Sequence, residues 1–202
     1  MKTLLVVVVF LFVSPLVAQQ APTQEIAGFG GEVEDRGSTR VLYWNTKLDG
    51  PAGQFAIEYG RPVRKKEYED PAKFDALTKG KVWRMGKDFW TLLDSSLPLK
   101  VSGKAVAPGY YFLGLRRSAD GAHWYLAFID PVKARAARLD AFVIEKAAVE
   151  FEAPVKVENT SAIADKLSIS LSYQEKTPTQ VTMKAAWGNL VVTAPIEVSL
   201  AK

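Results

Sequence analysis

Apolar and polar positions alternate through most of the chain, most cleanly in its last third. Val149, Phe151, Ala153, Val155 and Val157 alternate with mostly charged residues, and Leu167, Ile169, Leu171 and Tyr173 alternate with serines. A period of two marks a strand with one face on a core. Val181, Met183, Ala185 and Trp187 repeat the pattern, and after Gly188-Asn189 it resumes at Leu190, Val192, Ala194, Ile196 and Val198. A two-residue type II′ turn at Gly188-Asn189 pairs Trp187 with Leu190, Ala185 with Val192, Met183 with Ala194 and Val181 with Ile196, all apolar. Turn length and face periodicity therefore predict a hairpin there. Pro195, on the opposite face, marks an edge strand or a bulge.

Upstream, Arg40 to Trp44 is apolar and aromatic, and Gln54 to Tyr59 sets Phe55, Ile57 and Tyr59 on one face. The turn between them is read at Lys47 to Pro51. Trp83, Phe89 to Leu93 and Leu99 to Val101 continue the β character, with turns at 101–105 and 107–109. Tyr110 to Leu115 and His123 to Ile129 flank Ser118-Ala119-Asp120-Gly121, which predicts a second hairpin. Residues 61–81 are polar and irregular, with a helical turn read from Asp70 to Leu77. One short helix is predicted near 131–141, from Asp130 as cap and Pro131 at the first helical position before a run of helix formers. About ten short strands with little helix predict an all-β fold, an antiparallel β-sandwich or flattened barrel.

The N-terminus has a different pattern. Lys2 precedes an unbroken ten-residue apolar run, Leu4 to Val13, followed by Ser14-Pro15 and a small residue at Ala18. This layout predicts a signal peptide over residues 1–18, since a spanning helix needs about 20 apolar residues. A flexible tail over 19–37 and a single β-sandwich domain over 38–202 follow. The expected protein is exported, periplasmic or extracellular, with no membrane span after cleavage.

Composition narrows the chemistry. The chain of 202 residues has no Cys and one His, and its net charge is +4. Disulfides, thiolate sites and a cysteine nucleophile are excluded. The charge is too small for a dedicated nucleic-acid binder. The only basic run, Arg61 to Lys66, reads as a solvated loop. The acids are scattered and form no calcium-type loop, so no metal or cofactor is expected. His123 has no Gly-x-Ser-x-Gly elbow or recognisable orienting acid beside it, which favours a structural or surface role.

The most distinctive residues are Tyr59-Gly60-Arg61-Pro62 and the stretch Gly80 to Asp88, which contains Trp83-Arg84. Each sets an arginine at the end of an aromatic strand. Arginine offers a planar fork for carboxylate or phosphate and stacks on aromatic faces. Arg61, Trp83, Arg84 and Asp88 are the candidate ligand-binding residues. The competing reading pairs each arginine with an acid such as Glu58 or Asp88 and pins a loop.

At these residues the chain resembles a bacterial family, domain of unknown function 2911. That family carries an aromatic-Ser-Arg-Pro strand end, matched at Tyr59 to Pro62 with Gly60 in place of Ser. Its Gly-x-Val-Trp-Arg-x-Gly element is matched at Gly80 to Gly86, with Lys87-Asp88 replacing Ala-Asn and Thr91 at the end. Its Val-x-Gly stretch ending in Gly and Tyr is matched from Val101 to Gly109-Tyr110, and Trp124 and Trp187 stand where aromatics are expected. The resemblance spans roughly residues 53–198 and implies export and a compact β domain with no known activity. The expected function is a ligand-binding or structural module of the cell envelope, acting on an unknown small molecule or envelope component. The alternative is a hydrolase using a carboxylate such as Asp88 with His123.

Overall fold

A computed structural model describes residues 27–28 and 35–200. The segment read as a signal peptide, and most of the tail after it, lie outside the described residues. β1 (Arg36–Asn45) begins two residues inside the span read as tail and pairs antiparallel with β2 (Gly50–Gly60). Their connection is an Asx turn: the Asn45 side chain accepts from the backbone N–H of Lys47 and Leu48 at 3.0 Å each. Phe55, Ile57 and Tyr59 face the core, as their spacing requires.

The polar stretch after β2 holds a 3-10 turn, Lys66–Glu69, and a helix α1, Pro71–Thr78. The Asp70 carboxylate caps α1 by accepting from the N–H of Ala72 and Lys73, and Pro71 costs nothing at the first position. The helical turn read from Asp70 to Leu77 is thus a helix of eight residues, built on the same Asp-Pro signature as the one expected near 131–141. The strands that follow are β3 (Val82–Arg84), β4 (Thr91–Ser95), β5 (Leu99–Val101), β6 (Lys104–Val106), β7 (Gly109–Arg117) and β8 (Trp124–Ile129). Ser102 and Gly103, both at positive φ (46° and 84°), make the tight β5–β6 turn. The expected hairpin of β7 and β8 forms with Leu115 opposite Leu126 and Leu113 opposite Phe128. Helix α2, Pro131–Ala136, is capped by Asp130 and ends five residues before the expected limit. Arg138 turns left-handed (φ 54°), and Asp140 then caps a separate 3-10 turn, Ala141–Lys146.

Two long strands complete the chain, β9 (Phe151–Tyr173) and β10 (Gln180–Val198). They complete the hairpin expected at Gly188-Asn189. β10 reverses at that dipeptide: a straight strand of 19 residues would part its ends by about 60 Å, yet the Val198 N–H donates to the Thr179 carbonyl at 2.9 Å. Thr179 opposite Val198 continues the expected register, in which Val181 faces Ile196. A second turn lies between Tyr173 and Gln180, and across it Met183 faces Leu171 and Ala185 faces Ile169. Gly188 sits at φ 60° and Asn189 is not at positive φ, as a type II′ turn requires. The β9 register shifts on either side of Gly188, and the turn leaves Trp187 and Leu190 both pointing inward.

All ten strands form one antiparallel sheet in the order β1-β2-β4-β7-β8-β9-β10-β5-β6, with β3 also on β7. The β9–β10 ladder ends at Thr193 opposite Lys156. Continuing that register sets Pro195 opposite Pro154, two residues with no N–H to donate. Here the strands part. The start of β9 joins β8, where Leu126 pairs with Ala153, while the end of β10 joins β5, where Ile196 pairs with Val101. The sheet therefore has two halves facing each other across one core, with Phe55, Ile57, Leu113 and Phe128 from one half and Ile169, Met183, Val192 and Ile196 from the other. A smaller core of Phe112, Ile129, Ala134 and Ile144 lies under α2 and the 3-10 turn, on the outer face of the sheet.

The register and the burial of Trp187 (5% exposed) are both testable. Backbone nuclear Overhauser effects should link Met183 to Leu171 on one side and to Ala194 on the other. Trp187→Ala should lower unfolding free energy by about 3–5 kcal/mol in urea titrations, the range for removing a large buried aromatic.

Candidate functional site

β9 gains residues relative to β10 between their two regular ladders. Ala186 faces Ser168 and Leu190 faces Asn159, so nine steps on β9 answer four on β10. The surplus is taken up by the chain after β2. Val63 bridges Lys166, the N–H of Arg64 donates to the Asp165 carbonyl at 2.9 Å, and the N–H of Leu167 donates to the Pro62 carbonyl at 3.0 Å. Between this loosened stretch, α1 and the β7–β8 turn lies a cleft of about 740 Å³. Its size lies within the range of small-molecule sites.

Two arginines stand on tryptophans at the cleft, and they are held differently. Arg117 donates to the Asp75 carboxylate at 2.6 Å, to Thr78 Oγ1 at 3.0 Å and to the Gly121 carbonyl at 2.9 Å. Its guanidinium lies 5.1 Å from the Trp124 ring and 5.7 Å from that of Phe74. This arginine ties α1 to the end of β7. Asp75 also pairs with Lys79 at 2.6 Å, and the hydrogen bonds from Lys79 and Arg117 hold its carboxyl below the usual carboxylate range.

Arg64 is half-buried and donates to the carbonyls of Trp187 and Tyr68, each at 2.9 Å, with its guanidinium 5.6 Å from the Trp187 ring. It forms no ion pair among the described residues. Burial draws its pKa below the ordinary value, with Glu69 opposing that shift from beyond ion-pair distance. Gly188 makes room for the side chain: a Cβ there would lie 1.9 Å from Arg64 Cδ. Trp187 Nε1 donates to the Pro62 carbonyl at 2.9 Å, fixing the ring beneath the guanidinium. The remaining lining is mixed, with Val155, Val157 and Leu190 as apolar surface, Tyr125 and Trp124 as aromatics, and Asn159 as an amide.

The four residues singled out in the sequence lie elsewhere, and none of them lines this cleft. Arg61 stands 3.7 Å from Asp35 and donates from Nε to the Leu167 carbonyl at 3.4 Å. Trp83 packs 4.9 Å from Trp187 and 6.2 Å from Tyr68. Arg84 lies 5.9 Å over Phe142 and makes no ion pair among the described residues. Asp88, in a left-handed conformation (φ 63°), is 3.8 Å from Lys87 and not paired with Arg84. Trp83 and Arg84 meet at an apolar cavity of about 30 Å³, the room of one water. His123 does line the large cleft, exposed and in no ion pair among the described residues, with its backbone N–H donating to Ser118 Oγ at 2.9 Å. Asp88 does not accompany it there. No group of three or more potential metal ligands occurs among the described residues.

Arg64 was hidden in the basic run, where it and Arg61 are drawn partly inward while Lys65 and Lys66 are exposed. Arg117 shows the same signal that marked Arg61 and Arg84: it ends an aromatic strand just before a glycine turn.

The Arg117–Asp75 pair yields a pH prediction. A carboxyl whose folded pKa is depressed stabilises the fold above its unfolded value near 3.8, and this contribution is lost as pH falls through the folded pKa. Below about pH 4 the Tm of the wild-type protein should therefore fall more steeply than that of Asp75→Asn, measured by circular dichroism. Parallel curves would show that the pair adds nothing.

Neither a curated protein nor a solved structure matches the chain. A family model matches residues 46–196, from the β1–β2 turn into β10, and so takes in the Arg61, Trp83-Arg84 and Val101 to Tyr110 motifs together with Arg64, Arg117 and Gly188. On that match the chain belongs to the family described as protein of unknown function (DUF2911).

Proposed function

We propose that the protein is an exported binding module for a small organic molecule, with its site in the cleft where β9 and β10 loosen. The observation that carries this reading is the cleft itself. About 740 Å³ is bounded by apolar, aromatic and hydrogen-bonding groups, the mixture that small-molecule sites use for affinity and orientation. Export is supported by the charged start, apolar run and small residue of the first 18 positions. No described helix is long and apolar enough to cross a membrane.

Two measurements test this. N-terminal sequencing of the mature protein should begin near Gln19, and a chain retaining Met1 would end the export reading. Thermal-shift screening against sugars, peptides and organic acids should find compounds that raise Tm by several degrees near saturation. Val157→Trp, which fills the cleft floor, should abolish the shift. A shift that survives Val157→Trp would place binding elsewhere.

A further inference from the structure

Arg117 and Arg64 make an internal comparison. Both lie over tryptophans beside one cleft, and both are anchored to backbone carbonyls. Arg117 is largely covered, its side chain 13% exposed, and its charge is met by Asp75. That is how a scaffolding arginine is built. Arg64 has the anchoring without the acid. The Trp187 and Tyr68 carbonyls take two of its N–H donors, and the others have no partner among the described residues. Held in this way, a guanidinium is oriented before any ligand arrives, which lowers the cost of binding.

We propose that Arg64 is the anion-recognising residue of the cleft and that the ligand is an organic monocarboxylate, an inference that rests on the binding reading above. The free donors of a guanidinium match a carboxylate in a planar, two-point contact. A single charge is favoured over a phosphate dianion. Among the described residues lining the cleft Arg64 is the one arginine without an ion pair, Glu69 lines the same cleft, and Arg117 is held by Asp75, which it shares with Lys79. The body of the ligand lies along Val155, Val157 and Leu190, which supply apolar surface. Gly188 is a positioning residue, since any side chain there would occupy the path of Arg64.

The test uses pairs of compounds of one shape that differ in charge: 3-phenylpropionate with 3-phenylpropionamide, and octanoate with octanamide. Calorimetric titration of the mature protein should give affinities about tenfold higher for the acids than for the amides. Arg64→Met should erase that preference while amide binding persists. Arg64→Lys should restore part of it, since an ammonium keeps the charge and loses the fork. Circular dichroism checks that each variant is folded. Equal binding of acids and amides, or a preference that survives Arg64→Met, overturns the inference and leaves the cleft as a site for neutral ligands. Binding of neither series overturns the inference together with the binding reading.

Discussion

The architecture depends on where β9 and β10 stop pairing with each other. The second half of β10 and the start of β9 carry matched apolar faces and have every reason to keep zipping. Pro154 and Pro195 prevent this, because in register they would face each other without a donor between them. Each strand must then find another neighbour, β8 for the start of β9 and β5 for the end of β10. One sheet is thereby given two halves, and their inner faces close on a common core. A ladder continued past the prolines would leave β5 and β6 without a partner and the core open on one side.

The opposite end of the same ladder is loosened by surplus rather than by missing donors. The extra residues of β9 near Thr160 to Leu167 cannot be paired by β10, and the chain at Pro62 to Arg64 pairs some of them instead. This substitution carries the link between β2 and β9 and brings Arg64 over Trp187. A buried polar backbone must find partners, and satisfying it here places a charged side chain at the rim of a cleft. Tyr59 fastens the same seam, its hydroxyl accepting from the Ile169 N–H at 2.8 Å.

Period-two alternation made the strands and the inward set legible, because burial on one face of a sheet is a local property of the chain. Register is local only in a tight hairpin. The turn at Gly188-Asn189 was legible because its partners are close in the chain, while the passage of β9 around it, with Ser168 opposite Ala186 and Asn159 opposite Leu190, joins residues 18 and 31 positions apart. The helices show the complementary limit. Asp-Pro starts both α1 and α2, yet the run of helix formers after Pro131 drew attention while the polar context of Pro71 muted the same cap. The candidate site was the least legible part. Trp83 and Arg84 are conspicuous in sequence because an aromatic strand ends there, and that strand end packs against Trp187. Arg64 sits among Arg61, Lys65 and Lys66, and nothing in the local pattern separates the partly buried arginines from the solvated lysines or tells which arginine reaches the cleft.

Gly188 joins the fold to the site. Its positive φ lets β10 reverse in a two-residue turn, and its missing side chain leaves the lane through which Arg64 reaches the Trp187 carbonyl. Both demands fall on one residue because the turn lies directly beneath the lane. A β-branched residue there would meet the strain of the left-handed region and a collision with the arginine at once. With a side chain at this position Arg64 could not reach the Trp187 carbonyl, and Glu69 and Arg117 would be the charged lining that remains. The glycine of the turn is therefore what brings the arginine without an acid to the cleft.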